Sequence, residues 1–512
     1  MRAKALMVMG TASDVGKSVV VTALGRSFAR TGISVAPFKS QNMSNNAAVC
    51  ADGGEIGRAQ AVQAEACGLQ PSVDMNPVLL KPESELGCQV VIAGRPRFHM
   101  KARDHESYRS RAWPEIVASY ERLARKHDLI VIEGAGGAAE INLRDRDIVN
   151  WAIAELADAP VLLVSDIDKG GALASIVGTI ELIAPAERRR IAGILINKFR
   201  GDITLLEPGL KLLEERTGVP VLGVLPYQHE LGIAQEDSAG LEGRPIRVNT
   251  AAVSVGVVRL PRISNFTDFE ALETEADIAL HYVSDPLAAP AVDVLVLPGS
   301  KNTVADLSWL RECGWEDYIV RHLRRSGWIL GVCGGYQMLG TRIVDPDGVE
   351  SFRPITTGLG LLDIETIFES GKITERISGV HLPTGLAIEG YEIHSGRISG
   401  VNASNALFKV RRSGADGAEI FDGASSGDGR IIGTTIHGLF DSAAFRRNFI
   451  DNVRSSKGLS PLGTTAVAEA KDERFAAFDR IADVLERHID MSRVAALAGV
   501  RWAPGTIHAA QV

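Results

Sequence analysis

Two stretches of this 512-residue chain carry reactive side chains where a turning backbone could aim them. The first, residues 10–18, runs G-T-A-S-D-V-G-K-S. An apolar run at 5–9 precedes it and a helix-like run, Lys17–Arg30, follows, which is the setting of a phosphate-binding loop. Backbone N–H groups at such a helix start attract phosphate oxygens. Thr11, Asp14, Val15, Gly16, Lys17 and Ser18 are therefore the expected ATP-binding residues, with Lys17 on the terminal phosphates and the Ser18 hydroxyl on Mg²⁺. Thr11 stands where the motif's first glycine belongs, and Gly10 comes one place earlier. Glu133 closes the apolar run 129–132 and opens a Gly-rich loop, so the expected metal set is Ser18, Asp52 and Glu133. Glu55 is a further candidate; for Asp52 and Glu55 the alternative role is to cap a helix that begins near Gly57. Asp166 and Asp168 follow the run 161–164 and reach the carboxyl edge of a sheet, with ligand contact and loop capping both open.

The second stretch, 328–337, is W-I-L-G-V-C-G-G-Y-Q. An apolar strand enters a cysteine beside glycines, and a helix follows, as in a nucleophile elbow. The start of that helix favours a thiolate, so Cys333 is the expected nucleophile. A base must accompany it. His437 ends an apolar run and precedes a glycine; His394, in Y-E-I-H-S-G, is the rival. The backbone amides of Gly299, Ser300 and Gly334 lie in glycine turns beside strand ends and are the expected oxyanion donors.

Elements must hold these groups. Apolar runs at 5–9, 33–37, 129–132, 161–164, 191–196 and 219–224 alternate with helix-like segments at 17–30, 57–66 and 146–156. Continuous Val/Ile/Leu runs imply a parallel sheet covered on both faces. A second series, 253–258, 294–297, 328–332 and 433–436, follows the polar stretch 234–247. The expected fold class is α/β: a P-loop parallel-sheet unit at 1–245, a second α/β unit at 252–446, and a helical extension at 447–512 with a polar tail from Pro504. The net charge of −8 argues against a nucleic-acid partner, which would need a basic face. Five cysteines without metal-ligand spacing fit a reducing compartment. No run reaches the roughly 18 apolar residues of a membrane span. The expected location is cytoplasmic, with small-molecule substrates, no nucleic acid, no membrane, and a homodimer as the candidate assembly.

Further motifs sharpen this reading: P-F-K-S-Q-N-M-S-N-N at 37–46, D-G-G-E-I-G-R-A-Q at 52–60, A-E-I-N-L-R-D-R-D at 139–147, L-P-G-S-K at 297–301 and G-G-Y-Q at 334–337. With them the chain resembles the cobyric acid synthase family from about residue 4 to 450. Its first half is also similar to dethiobiotin synthetase, and its second to class I glutamine amidotransferase domains. The resemblance implies that Cys333 attacks glutamine, His437 is its base, and ATP activates peripheral carboxylates of adenosylcobyrinic acid a,c-diamide for amidation to adenosylcobyric acid. ATP, Mg²⁺, glutamine and a corrinoid are implied, with no tightly bound cofactor. Gln41, Asn42, Asn45 and Asn46 carry amides that could grip the corrinoid's carboxylates, a polar turn cluster being the alternative. Many class I amidotransferases follow the histidine with Pro-Glu, whose glutamate orients it; here Gly438 and Leu439 stand instead, and no orienting group is visible. After Glu133, Gly-Ala-Gly is followed by Gly-Ala-Ala where Ser-Pro is expected. Cobyrinic acid a,c-diamide synthase is the nearest alternative in the class. A partitioning-type P-loop ATPase is the alternative outside it, but that class has no use for the Cys333 elbow.

Overall fold

A computed structural model describes residues 2–84, 87–101, 105–228, 232–233, 252–414, 419–463 and 470–503. The expected linker at 234–247 and the tail from Pro504 lie outside the described residues. Two of the three six-stranded sheets among the described residues, both largely parallel, organise the chain. The first has the order Val221–Pro226, Ile191–Phe199, Val161–Asp166, Lys4–Gly10, Leu129–Glu133, Val35–Phe38, all parallel. Both neighbours of the central strand Lys4–Gly10 come from later in the chain. A crevice thus opens at its carboxyl end, where open parallel sheets hold ligands.

The second sheet has the order Ile278–Val283, Val253–Val258, Val294–Leu297, Trp328–Val332, Ile431–Thr434, Ala424–Ser425, parallel except for the last pair. Trp328–Val332 and Ile431–Thr434 are neighbours, so the residues after them meet at one edge. The helix Lys17–Arg30 has its expected limits. The helix expected at 146–156 begins only at Trp151. Asp147 explains the delay: its carboxylate accepts the N–H groups of Val149, Asn150 and Ala152, which turns the chain first. The last strand ends at Thr434 rather than 436, because Thr434 and Thr435 both bond the buried Asp422 carboxylate.

The elements between the sheets were not anticipated. A long hairpin pairs Glu365–His381 with Ala387–Ser399. A small sheet joins Gln41–Met43, Val78–Ser84, Gly87–Ile92 and Arg95–Lys101, and a short hairpin pairs Ala47–Val49 with Glu55–Gly57. These pieces weld the two halves together. Ala47, Val49, Leu79 and Val91 from the first half pack with Ile393 from the second. Glu55, fully buried, lies 2.9 Å from Lys81 and 2.7 Å from Lys372 of the long hairpin. Burial alone would raise the Glu55 carboxyl, but the two ammonium groups win and lower it to about 2.

The C-terminal helices Ala470–His488 and Met491–Leu497 return to the first sheet. Ile481, Leu485 and Val494 share a core with Val20, Val21, Leu24 and Phe28 of the helix that follows the phosphate loop. Arg26–Asp479 and Arg30–Asp483 pairs at 2.8 and 2.6 Å fringe that contact. Being partly exposed, each adds at most about 1 kcal/mol, so the apolar face carries the docking. No helix among the described residues is long and apolar enough to cross a membrane. Leu485 is buried to 1% exposure, so Leu485→Ala is expected to cost about 2–5 kcal/mol in chemical denaturation. A midpoint like that of the parent chain would show that the extension does not brace the phosphate-loop helix.

Candidate active site

At the first sheet's crevice, Gly16 takes a left-handed conformation (φ 96°) and starts the helix, which frees the turn before it to curl. Lys17 Nζ donates to Ala12 O and Gly136 O at 3.0 and 2.9 Å, and so spans the cradle. Thr11 replaces the motif's glycine without strain: its φ is not positive, its N–H donates to Val164 O, and its hydroxyl lies 3.0 Å from Ser165 Oγ. Asp14 has φ 57°, and the Val15 carbonyl accepts Asn197 Nδ2 at 2.8 Å. Asn197, which sequence reasoning missed, therefore sets the loop's shape from the end of a neighbouring strand.

Glu133 is buried and gathers three partners: Ser18 Oγ and Lys39 Nζ at 2.9 Å each, and Gln63 Nε2 at 2.5 Å. Ser18 and Glu133 are thus together, as the metal reading requires. Asp52 is not with them. It lies exposed in the turn of the short hairpin, where Oδ1 accepts Gly54 N–H at 3.3 Å; the Asp-Gly-Gly run serves the turn. Glu55 is likewise spent on Lys81 and Lys372. Asp166 and Asp168 reach the sheet edge but pair with Lys198 and Arg200, both at 2.8 Å.

Beside the cradle lies a cavity of about 640 Å³ with largely apolar walls. Gln41, Met43, Leu80, Met100, Ile148 and Trp151 line it, and its Gly136 rim touches Lys17. Of the four amides expected there, only Gln41 lines it. Asn42 bonds Gln60 at 2.9 Å, Asn45 bonds Pro82 O at 3.2 Å, and Asn46 accepts Phe266 N–H at 3.3 Å. These three hold the local turns and the contact between the halves.

At the second sheet, Cys333 has φ 51° and ψ −110°, an uncommon strain for a residue with a Cβ. The neighbouring backbone must come close: a Cβ at Gly335 would sit 1.9 Å from Leu297 O. The same crowding brings the Gly334 and Ser300 backbones together, with a Cβ at Gly334 only 2.8 Å from Ser300 N. Ser300 is pinned by its hydroxyl bond to Asp306 at 2.7 Å. Gln337 links Thr303 Oγ1 at 2.9 Å to Ser395 O at 3.1 Å.

His437 is fully buried, bridges its backbone to Tyr391, and stacks its ring on that tyrosine at 5.3 Å. Its Nδ1 lies 2.6 Å from Asp268 Oδ2, and Asp268 Oδ1 accepts Gly438 N–H at 3.0 Å. Burial alone would lower the imidazole's proton affinity, but Asp268 and Cys333 outweigh it and raise the pKa to about 10. Asp268 is thus the orienting group that the sequence did not reveal. The available signal was an acid between Phe266 and Phe269, since a buried carboxylate among aromatics needs a partner. The rival His394 bonds Gly396 O at 3.1 Å and lies 3.6 Å from Glu392.

Two family profiles match the two halves: a CobQ/CobB/MinD/ParA nucleotide binding domain over residues 6–240 and a CobB/CobQ-like glutamine amidotransferase domain over 254–445. The cobyric acid synthase of Sorangium cellulosum (strain So ce56) is 47% identical, over 98% of this chain and 99% of that one. Those of Dehalococcoides mccartyi (strain CBDB1) and Desulforamulus reducens are 46% and 47% identical, over 97% of this chain and 99% and 98% of theirs. The chain belongs to the cobyric acid synthase family. It is a glutamine-dependent amide ligase of cobalamin biosynthesis, with a nucleotide-binding P-loop half and an amidotransferase half.

Asp268→Asn keeps the shape of the side chain but removes the charge and lets Nδ1 lose its acceptor. Glutamine hydrolysis is expected to fall by about 10²–10⁴-fold, measured as glutamate release, with ammonia-driven amidation retained. Unchanged hydrolysis would remove Asp268 from the histidine's support.

Proposed function

We propose that the chain amidates the b, d, e and g carboxylates of adenosylcobyrinic acid a,c-diamide, giving adenosylcobyric acid, with one ATP and one glutamine used for each. The observation that carries this reading is the pair of sites on one chain: the Asp268–His437 pair beside the Cys333 elbow, and the phosphate cradle beside a large apolar cavity. The work divides between a unit at 1–245 and a unit at 252–446; of the extension 447–512, residues 447–456 pack on the second unit, and the helices Ala470–His488 and Met491–Leu497 brace the first.

A carboxylate resists attack because its charge repels nucleophiles and its oxygens leave poorly. Thr11, Asp14, Val15, Gly16 and Lys17 seat the ATP phosphates, and the acceptor carboxylate lies in line with the terminal one. Ser18 and Glu133 supply the hard oxygen donors that suit Mg²⁺, which would neutralise phosphate charge when bound. Phosphoryl transfer to the carboxylate then gives an acyl phosphate, and positioning supplies much of the rate. The cavity's apolar walls suit the faces of a corrin ring. Arg144 and Arg146 among its lining residues suit the peripheral carboxylates, and Gln41 is the one of the four expected amides that lines it.

In the second unit Cys333 Sγ attacks the glutamine side-chain amide, and the oxyanion meets the amides of Gly299, Ser300 and Gly334. His437 gives its proton to the departing ammonia, and water later cleaves the glutamyl thioester with His437 as base. Asp268 steadies the imidazolium between those steps. Ammonia displaces phosphate from the acyl phosphate and leaves the amide.

Cys333→Ser is expected to abolish glutamine-driven amidation and spare ammonia-driven amidation, whereas Lys17→Ala removes both. Mass spectrometry of the corrinoid product reads each acid-to-amide step. Equal loss of both routes in Cys333→Ser, or full ammonia-driven activity in Lys17→Ala, would sink the division of labour. A diamide left unchanged while the unamidated corrinoid is consumed would move the assignment to the a,c-carboxylates.

A further inference from the structure

Tyr391 lies on the strand Ala387–Ser399 of the long hairpin and meets His437 through both backbone and ring. Its N–H donates to His437 O at 3.1 Å, and its carbonyl accepts the His437 N–H at 2.8 Å. This closed pair needs a neighbour without a side chain: a Cβ at Gly390 would sit 2.4 Å from His437 O. The two rings stack with centroids 5.3 Å apart and planes 19° from parallel. The same tyrosine packs against Ala47, Val49, Leu79, Val91 and Ile393, so it connects the imidazole to the apolar patch that joins the halves.

To hand a proton to departing ammonia, His437 must first carry a positive charge, and it must do so fully buried. Asp268 serves the edge of the imidazole at Nδ1. The charge of an imidazolium spreads over the whole ring, however, so whatever packs on a face also bears on its stability. A tyrosine face is negative in its quadrupole. It attracts a cation within about 6 Å of its centroid, and more strongly where water is excluded. Tyr391 meets both conditions. An aliphatic side chain would fill the space without offering that field.

The charged and titratable groups around this stack are Asp268 and Cys333 beside His437, with Arg58 and Asp441 also facing the tyrosine. Burial first, then Asp268, pushes the phenol's pKa well above 10, against the pull of Arg58. The tyrosine therefore stays neutral while the imidazole titrates at about 10, and its hydroxyl exchanges no proton with the histidine in that range. What Tyr391 offers His437 is its backbone and its face.

We infer that Tyr391 is a positioning residue for glutamine hydrolysis: its backbone sets the plane of the His437 ring, and its π face steadies the imidazolium that releases ammonia. The inference rests on His437 as the proton carrier of the Cys333 reaction. Its sign follows from which form the face favours. Stabilising the protonated ring raises its proton affinity, so a chain without the face loses that proton at lower pH. Hydrolysis that needs the imidazolium then fails earlier on the alkaline side.

The test compares glutamate release across pH by the full parent chain, Tyr391→Phe and Tyr391→Leu. The alkaline limb of kcat/KM should move down by about half a unit to one unit in Tyr391→Leu. It should stay in place in Tyr391→Phe, which keeps the face. The amino group of glutamine titrates alike in all three, so any difference between them belongs to the protein. A limb unmoved in Tyr391→Leu, or moved as far in Tyr391→Phe, would overturn the inference. Should Tyr391→Leu fail to fold, phenylalanine carrying one, two or three ring fluorines at position 391 keeps the aromatic shape and weakens the face. The limb should then step down with each fluorine, and a limb indifferent to fluorination also overturns it. His437→Asn separates the two levels. Hydrolysis surviving in that variant would reject the histidine itself, whereas its loss beside an unmoved Tyr391 series rejects only the stack.

Discussion

Ammonia attacks only as the neutral molecule, and it is lost once it reaches bulk water and gains a proton. A chain that releases ammonia in one place and captures it in another must keep those places joined and dry. The contacts between the halves answer that constraint. Ala47, Val49, Leu79, Val91 and Ile393 form an apolar patch, flanked by the buried Glu55–Lys81–Lys372 cluster. Arg262 Nε donates to Glu83 O at 2.9 Å, and Lys301 pairs with the Glu83 carboxylate at 2.6 Å. Truncating one member of a buried ion cluster leaves a charge without its partner, which is costly, so this interface tolerates little sliding.

One short segment, 263–269, joins the chemistry to that interface. Ile263 and Ser264 pair with Ser300 and Gly299, and so hold the turn beside the elbow. Asn265 and Phe266 bond Ala47 and Asn46 of the other half. Asp268 then orients His437. The turn at Gly299–Ser300, the contact between the halves and the orientation of His437 thus all depend on seven consecutive residues. A displacement of the interface by a fraction of an ångström reaches His437 through two hydrogen bonds, with no long relay required.

What the chain disclosed before folding follows from how local each signal is. The phosphate loop, the helix Lys17–Arg30 and the Cys333 elbow are contiguous, and strand, turn and helix chemistry all agree there. Asp268 stayed hidden because its partner is 169 positions away, and nothing adjacent to His437 hints at it. Asp52 misled because an acid near glycines suits a metal and a turn equally; the hairpin claimed it. Asn42, Asn45 and Asn46 looked like one polar cluster facing a substrate, but the chain turns between them and sends each to a different backbone or side-chain partner. The long hairpin was missed because Gly379 and Gly390 interrupt its pattern, and each lies against the backbone of a neighbouring strand or loop.

Glutamine-driven amidation works best when ammonia reaches the acceptor before bulk water protonates and dilutes it. The direct measurement supplies glutamine labelled with ¹⁵N in its side-chain amide together with ATP, the corrinoid diamide and an excess of unlabelled ammonium. Mass spectrometry of the product then reports where each new amide nitrogen came from. Product amides are expected to retain the ¹⁵N label despite the unlabelled pool. Label diluted to the composition of the bulk ammonium would contradict it.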